Sequence, residues 1–108
     1  MISRRDVFQA IADPTRRAII MLLAAGATTP NTLAEHFNTS RQAISKHLQI
    51  LTECQLVEPQ PKGREIYYCV NPQKMNEIET WLQQFKNLMA QRFTQLDDVL
   101  TQLKNNRT

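Results

Sequence analysis

The chain is short of cysteine, glycine and catalytic groupings, and each shortage closes a route. Its 108 residues include two cysteines, Cys54 and Cys69, without a CxxC spacing. That pattern builds neither a disulfide framework nor a zinc ribbon. The two glycines are far apart, so no glycine-rich loop is available to cradle a phosphate. No apolar run approaches the roughly 20 residues that a membrane span needs. The first residues carry Asp6 and Asp13 and lack the apolar stretch of a secretion signal. A cytoplasmic protein with no membrane partner is therefore expected. Ser45 and His47, two apart on what reads as a helix, point away from each other, and the adjacent Asp97 and Asp98 do not face one site. No enzyme is expected. Internal repeats and low-complexity segments are absent as well. One further absence is local: no Asp or Glu lies between Glu35 and Glu53.

What fills that acid-free stretch is informative. From Thr39 to Leu51, Ile44, Leu48 and Leu51 recur at i, i+4 and i+7, which makes one apolar stripe on a short helix. Arg41, Gln42, Ser45, Lys46 and Gln49 lie away from the stripe and can donate hydrogen bonds to base edges and phosphates. Ser40 stands at the N-cap position. The net charge of +3 and a pI of about 9.1 are only mildly basic. Their distribution says more. Arg4, Arg5, Arg16 and Arg17 crowd the first 25 residues, Arg41 and Lys46 face no acid, and the last third of the chain is balanced. A hydrophobic share of 42% suits a single domain with a modest core.

The punctuation predicts the element order. Val7, Phe8, Ile11 and Ala12 suggest a short first helix. Asp13-Pro14 caps and starts a second, which carries Ile19, Ile20, Leu22 and Leu23 and ends near Gly26. Thr29-Pro30-Asn31 opens a third, with Leu33, Ala34 and Phe37 inward. Asn38-Thr39 is a tight corner, where Asn tolerates positive φ. The fourth helix spans about Arg41 to Glu53. The period then falls from 3.6 to 2: Ile66, Tyr68 and Val70 alternate with Glu65, Tyr67 and Cys69 in a half-buried strand. Val57 to Gln60 is its partner, with Pro61-Lys62-Gly63-Arg64 as the turn. After Asn71-Pro72, a helix of about 48 Å is expected from Gln73 to Lys104, at ~1.5 Å per residue. Leu82, Met89, Leu96 and Leu103 repeat every seven residues, and Ile78, Phe85 and Val99 fill intermediate positions. Trp81, Leu88, Phe93 and Leu100 flank them. That stripe is wider than a small core can cover, so a second subunit is its natural partner.

This order resembles a winged helix–turn–helix repressor of the ArsR type. The resemblance is carried by Asp13-Pro14-Thr15-Arg16-Arg17, by Leu33-Ala34-Glu35 and by Ser40-Arg41-Gln42-Ala43-Ile44-Ser45-Lys46-His47-Leu48. Leu51, Leu56-Val57, Gly63-Arg64 and Tyr67-Tyr68 continue it. The fold class expected is mainly α with a small β-hairpin wing. A single domain over residues 1–108 would hold the helix–turn–helix at about 31–53, the wing at about 56–71 and a dimer helix at about 73–104. The family implies a homodimer that represses transcription from a pseudo-palindromic operator and is usually released by a ligand, here an unidentified effector. Many members sense metals through cysteines in the third helix or Asp and His pairs in the last. This chain has Leu33-Ala34-Glu35-His36 in the first place and no histidine beyond His47. Neither a metal nor another cofactor is expected.

The residues expected to meet DNA are Thr39, Ser40, Arg41, Gln42, Ser45, Lys46, His47, Lys62 and Arg64. Arg41 suits a bidentate contact with guanine and Gln42 one with adenine. Ser45 and Lys46, one turn on, reach a base edge or a phosphate. Thr39, Ser40 and His47 suit backbone contacts or orienting roles, with His47 equally readable as a surface or half-buried histidine. Lys62 and Arg64 flank Gly63 at the wing tip, where phosphate or minor-groove contact competes with an ordinary charged turn. Arg16 and Arg17 fit either phosphate or surface ion pairs. The expected dimer face comprises Phe8, Ile78, Trp81, Leu82, Phe85, Met89 and Leu96. As metal ligands, His47 and Cys54 fail on reach. Seven helical residues span about 10.5 Å, against zinc bonds of about 2.0–2.3 Å. A Cys54–Cys69 redox pair is disfavoured in a reducing compartment. The rival reading is a winged helix used for protein docking, since fold alone does not give function. Such a face would carry apolar or mixed-charge anchors, which the acid-free stretch lacks.

Overall fold

The computed structural model describes residues 6–106; Arg4 and Arg5 lie outside them. Two compact units are present, one reaching Glu77 and one beginning at Ile78.

In the first unit, four helices come first: α1 (Val7–Ala10), α2 (Pro14–Ala25), α3 (Pro30–His36) and α4 (Arg41–Glu53). All four start on a side chain that accepts from an otherwise orphaned backbone N–H. Asp6 accepts from Gln9 at 2.9 Å, Asp13 from Arg16 at 3.0 Å, Thr29 from Thr32 at 3.3 Å and Ser40 from Ala43 at 3.1 Å. Pro14 and Pro30 occupy first-turn positions of α2 and α3, where the missing N–H is no loss.

Helix ends are equally specific. After α3, Asn38 takes φ 52°, as its place at the corner predicts, and after α4 Gln55 takes φ 62°. Asn38 N–H donates to the Glu35 carbonyl and Thr39 N–H to that of Ala34; Gln55 N–H donates to Thr52 and Leu56 N–H to Leu51. Both helices thus close in Schellman motifs, the second with a glutamine in a position that favours glycine. Gly26, by contrast, is extended at φ 168°, so α2 does not end on a left-handed glycine.

The core lies among these helices and the base of the hairpin. Val7, Ile19, Leu33, Ile44, Leu48, Leu51, Leu56 and Val57 are its largest fully buried side chains. Each such aliphatic chain contributes about 1.5–3 kcal/mol through removal from water. Phe37, expected inside, is half-buried, as is Leu22.

The first strand of the wing runs two residues further than its sequence suggests. β1 (Val57–Lys62) and β2 (Glu65–Val70) pair antiparallel from Val57↔Val70 to Lys62↔Glu65, leaving only Gly63 and Arg64 as the loop. The expected turn at Pro61–Arg64 is therefore too long by two residues. Pro59 and Pro61 are tolerated because both sit at positions whose N–H would face away from β2. Tyr68, opposite Pro59, turns its own backbone outward and exchanges two hydrogen bonds with Thr28, at 2.8 and 3.3 Å. That bridge ties the wing to the loop before α3. Gly63 has φ +63° and Arg64 has no positive φ, the sign pattern of a type II′ hairpin turn. The expected in–out alternation of β2 is not seen in its burial: Ile66 is 46% exposed, because the hairpin tip has no layer beneath it.

α5 (Pro72–Asn105) starts on Asn71, whose side chain accepts from the N–H groups of Gln73 and Lys74. The second unit is the helix from Ile78 onward. No residue of α5 is buried. Trp81, Leu82, Phe85, Leu88, Phe93, Leu96, Val99, Leu100 and Leu103 are all exposed, and Ile78 and Met89 are half-buried. Trp81 and Phe85 stack with ring centres 5.8 Å apart. No helix among the described residues is long and apolar enough to cross a membrane.

Candidate nucleic-acid interface

Burial of Ile44, Leu48 and Leu51 fixes the rotation of α4 and turns Arg41, Gln42, Ser45, Lys46 and Gln49 outward, all exposed. Ser40 is committed as the N-cap, and Thr39 beside it is exposed. Gln49 donates its amide N–H to Glu53 at 3.4 Å. The Schellman corner at Asn38 sets the angle at which α4 leaves α3.

The wing and α4 share one concavity. A groove of about 270 Å³ is lined by Thr29, Pro30 and Asn31, by Arg41 and Ser45 of α4, and by Arg64, Glu65, Ile66 and Tyr68 of the wing. Of the residues expected to meet DNA, it brings together Arg41, Ser45 and Arg64. Gln42 and Lys46 stand on the open face of α4, outside the groove lining. Lys62 is also outside it and lies over the Tyr67 ring, 5.4 Å from its centre. Asn31, Glu65 and Tyr68 were not expected here. Only the folded path of the chain brings them beside Arg41, and no local pattern marks them.

His47 takes its half-buried alternative. Its Nδ1 stands 4.0 Å from a carboxylate oxygen of Asp13, at the start of α2. The Arg16 N–H bonded to Asp13 is the main cause holding that carboxyl below its ordinary 3.8; the charges of His47 and Arg16 and the Thr15 N–H add to it, and partial burial opposes. Asp13 is thus a charged cap that also faces α4.

Arg16 and Arg17 are engaged within the fold. Arg16 donates to the carbonyls of Ala10 (2.5 Å) and Gln9 (3.1 Å), and Arg17 to that of Ile11 (2.7 Å). They add side-chain donors to carbonyls at the end of α1. The signal in the sequence was a one-turn helix followed at once by two arginines in the first turn of the next.

The donor sets of metal-sensing relatives are not assembled. Among the described residues no three His, Cys, Asp or Glu side chains converge as a metal ion would require. The Cys54 thiol is buried and donates to the Asp6 carbonyl at 3.4 Å, while Cys69 donates to that of Glu58 at 3.8 Å. The residues present do not fit such a centre.

Comparison with known proteins agrees with this geometry. A family model described as a helix-turn-helix domain matches residues 11–60. The chain is 43% identical over 82 residues to the transcriptional repressor SdpR of Bacillus subtilis, covering 76% of this chain and 91% of the relative. It is 31% identical over 107 residues to the arsenic resistance transcriptional regulator ArsR2 of Pseudomonas putida, covering 97% and 90%. Among solved structures, an ArsR-like transcriptional regulator from Rhodococcus sp. RHA1 superposes with a TM-score of 0.74 at 33% identity, over 86% of this chain and 88% of that one. The chain belongs to the ArsR family of winged helix–turn–helix transcriptional regulators.

Proposed function

We propose that the chain is a homodimeric cytoplasmic repressor that binds an inverted-repeat operator, with one α4 in the major groove of each half-site. The observation that carries this reading is the outer face of α4 from Arg41 to Gln49, which is free of acids and whose Arg41 and Ser45 share a groove with Arg64 of the wing. Gln42, Ser45 and Lys46 are the proposed contacts of that helix in the major groove, and Thr39 and Ser40 support them at the backbone. Lys62 and Arg64 add charge along the duplex from the wing. His47 acts through its packing beside Asp13. The second copy covers the apolar residues of α5, namely Ile78, Trp81, Leu82, Phe85, Met89 and Leu96, with Phe8 of α1 contributing. An interface of this obligate kind buries roughly 2,000 Å² or more. Neither catalysis nor metal binding is part of the proposal.

Enrichment of duplexes from a random-sequence pool tests it, followed by fluorescence anisotropy against a scrambled duplex. Enriched sequences should contain an inverted repeat whose half-sites lie one helical turn, about 34 Å, or a multiple apart. Gln42→Ala should relax the preference by about 1–3 kcal/mol per base contact. A pool that enriches nothing over scrambled DNA would make the winged helix a protein-docking module instead.

A further inference from the structure

We propose that the groove between α4 and the wing seats one phosphodiester strand of the operator, so that Arg41 holds backbone rather than guanine and Glu65 limits the affinity. This deepens, and rests on, the DNA-binding reading above.

The first argument is angular. Successive helical residues turn by about 100°, which puts Ser45, Gln49 and Gln42 in the middle of the exposed arc of α4. Arg41 and Lys46 then bound that arc, about 140° apart. Arg41 is on the edge that faces the wing, since it lines the groove there and Lys46 does not. A helix laid in the major groove presents its middle to base edges and its flanks to the two backbones. Over Arg41 to Gln49, the first two and a half turns, the two cations are on the flanks and the neutral hydrogen-bonding side chains are in the middle.

The second argument is chemical. Two arginines, Arg41 and Arg64, and one carboxylate residue, Glu65, line the same groove. One net positive charge remains, which is complementary to the single negative charge of a phosphodiester. The Asn31 amide supplies a neutral donor. Pro30 and Ile66 give the same groove apolar walls, and deoxyribose carbons would cover Ile66, which is 46% exposed on the wing. A guanidinium drawn to a phosphate there cannot also offer a parallel pair of N–H groups to guanine. Glu65, the carboxylate of this lining, faces the phosphate with like charge.

The probes are a duplex enriched by the wild-type protein, its scrambled counterpart, and versions of the first with single neutral methylphosphonate linkages. Arg41→Lys should lose affinity severalfold for both duplexes alike, because an ammonium ion keeps the charge but not the fork, and should leave their ratio unchanged. Arg41→Ala should weaken both more and shallow the salt slope by about one for each phosphate it no longer neutralises. Glu65→Gln should tighten both. One methylphosphonate position per half-site should weaken the wild type but not Arg41→Ala. Circular dichroism verifies the fold of each variant. A fall of about tenfold or more in the specific-to-scrambled ratio for Arg41→Lys would assign Arg41 to a base and overturn the proposal. So would a Glu65→Gln variant that loosens only the enriched duplex, which would make Glu65 a cytosine reader. If the wild type enriches no duplex, the regulator reading fails first and takes this one with it; failure of the ratio test alone leaves that reading standing.

Discussion

Replacing Asp13 removes two things at once, an acceptor at the start of α2 and a negative charge beside the recognition helix. The two can be separated. Asp13→Ala abolishes the 3.0 Å bond from Arg16 N–H and should cost about 1 kcal/mol, within the ~0.5–2 kcal/mol range of such caps. The His47 pair adds little. It spans 4.0 Å with side chains 25% and 34% exposed, and pairs this accessible contribute about 0–1 kcal/mol. Asp13→Asn keeps the acceptor and loses the charge, so it should cost about 0.5 kcal/mol or less, most of it from the helix dipole. The pH dependence follows from the sign of the shift. The folded state holds the Asp13 carboxyl below its ordinary 3.8, so the unfolded chain takes up the proton first. The stabilisation from the charge is full above that ordinary value and is lost as pH falls through the folded one. The gap between wild type and Asp13→Asn should therefore be flat near neutrality and close below about pH 4. Urea denaturation followed by circular dichroism, at fixed protomer concentration, reads all three proteins. An Asp13→Asn variant as unstable as Asp13→Ala would refute the capping argument. A gap that widened on acidification would refute the sign.

The remaining predictions concern the outer elements. Leu82→Glu on α5 should convert the dimer to a folded or partly unfolded monomer in light scattering at micromolar concentration; an intact wild-type chain that scatters as a 12.5 kDa monomer would remove the proposed dimer. Gly63→Ala should cost about 1 kcal/mol through backbone conformation alone, because an added Cβ meets no atom within 4 Å while φ is +63°; unchanged melting would refute the left-handed turn. Gln55→Asn should stabilise by about 0.5 kcal/mol, since asparagine adopts the observed left-handed conformation more readily, and a lowered midpoint in urea would refute that. Titration calorimetry should find no nanomolar zinc, cadmium or arsenite site; tight binding abolished by changing His36 or Cys54 would overturn this.

The parts of this fold that could be read from the sequence are those set by local chemistry. Asp13-Pro14, Thr29-Pro30, Ser40 and Asn71-Pro72 mark helix starts because a cap and its N–H partner lie within three residues of each other. Asn38 marks the corner for a similar reason. The surplus apolar stripe on α5 was legible because periodicity counts side chains without needing to know what they touch. The parts that were not legible depend on neighbours distant along the chain. Arg16 and Arg17 read as free cations until the end of α1 is seen to lie within their reach. Pro61 reads as part of the turn until the outer side of its strand is known to need no donor. Glu65 and Asn31 carry no mark at all. The interface divides along the same line. The polar outer face of α4 is a periodic property of residues 41 to 51, and no knowledge of the wing is needed to find it. The sharing of work along that helix is different, since it depends on where the wing lies. The Thr28–Tyr68 bridge anchors the hairpin beside α3 and brings Arg64 across from Arg41. Two backbone hydrogen bonds between residues 40 apart in sequence thus set which side chains stand beside the arginine at the head of α4.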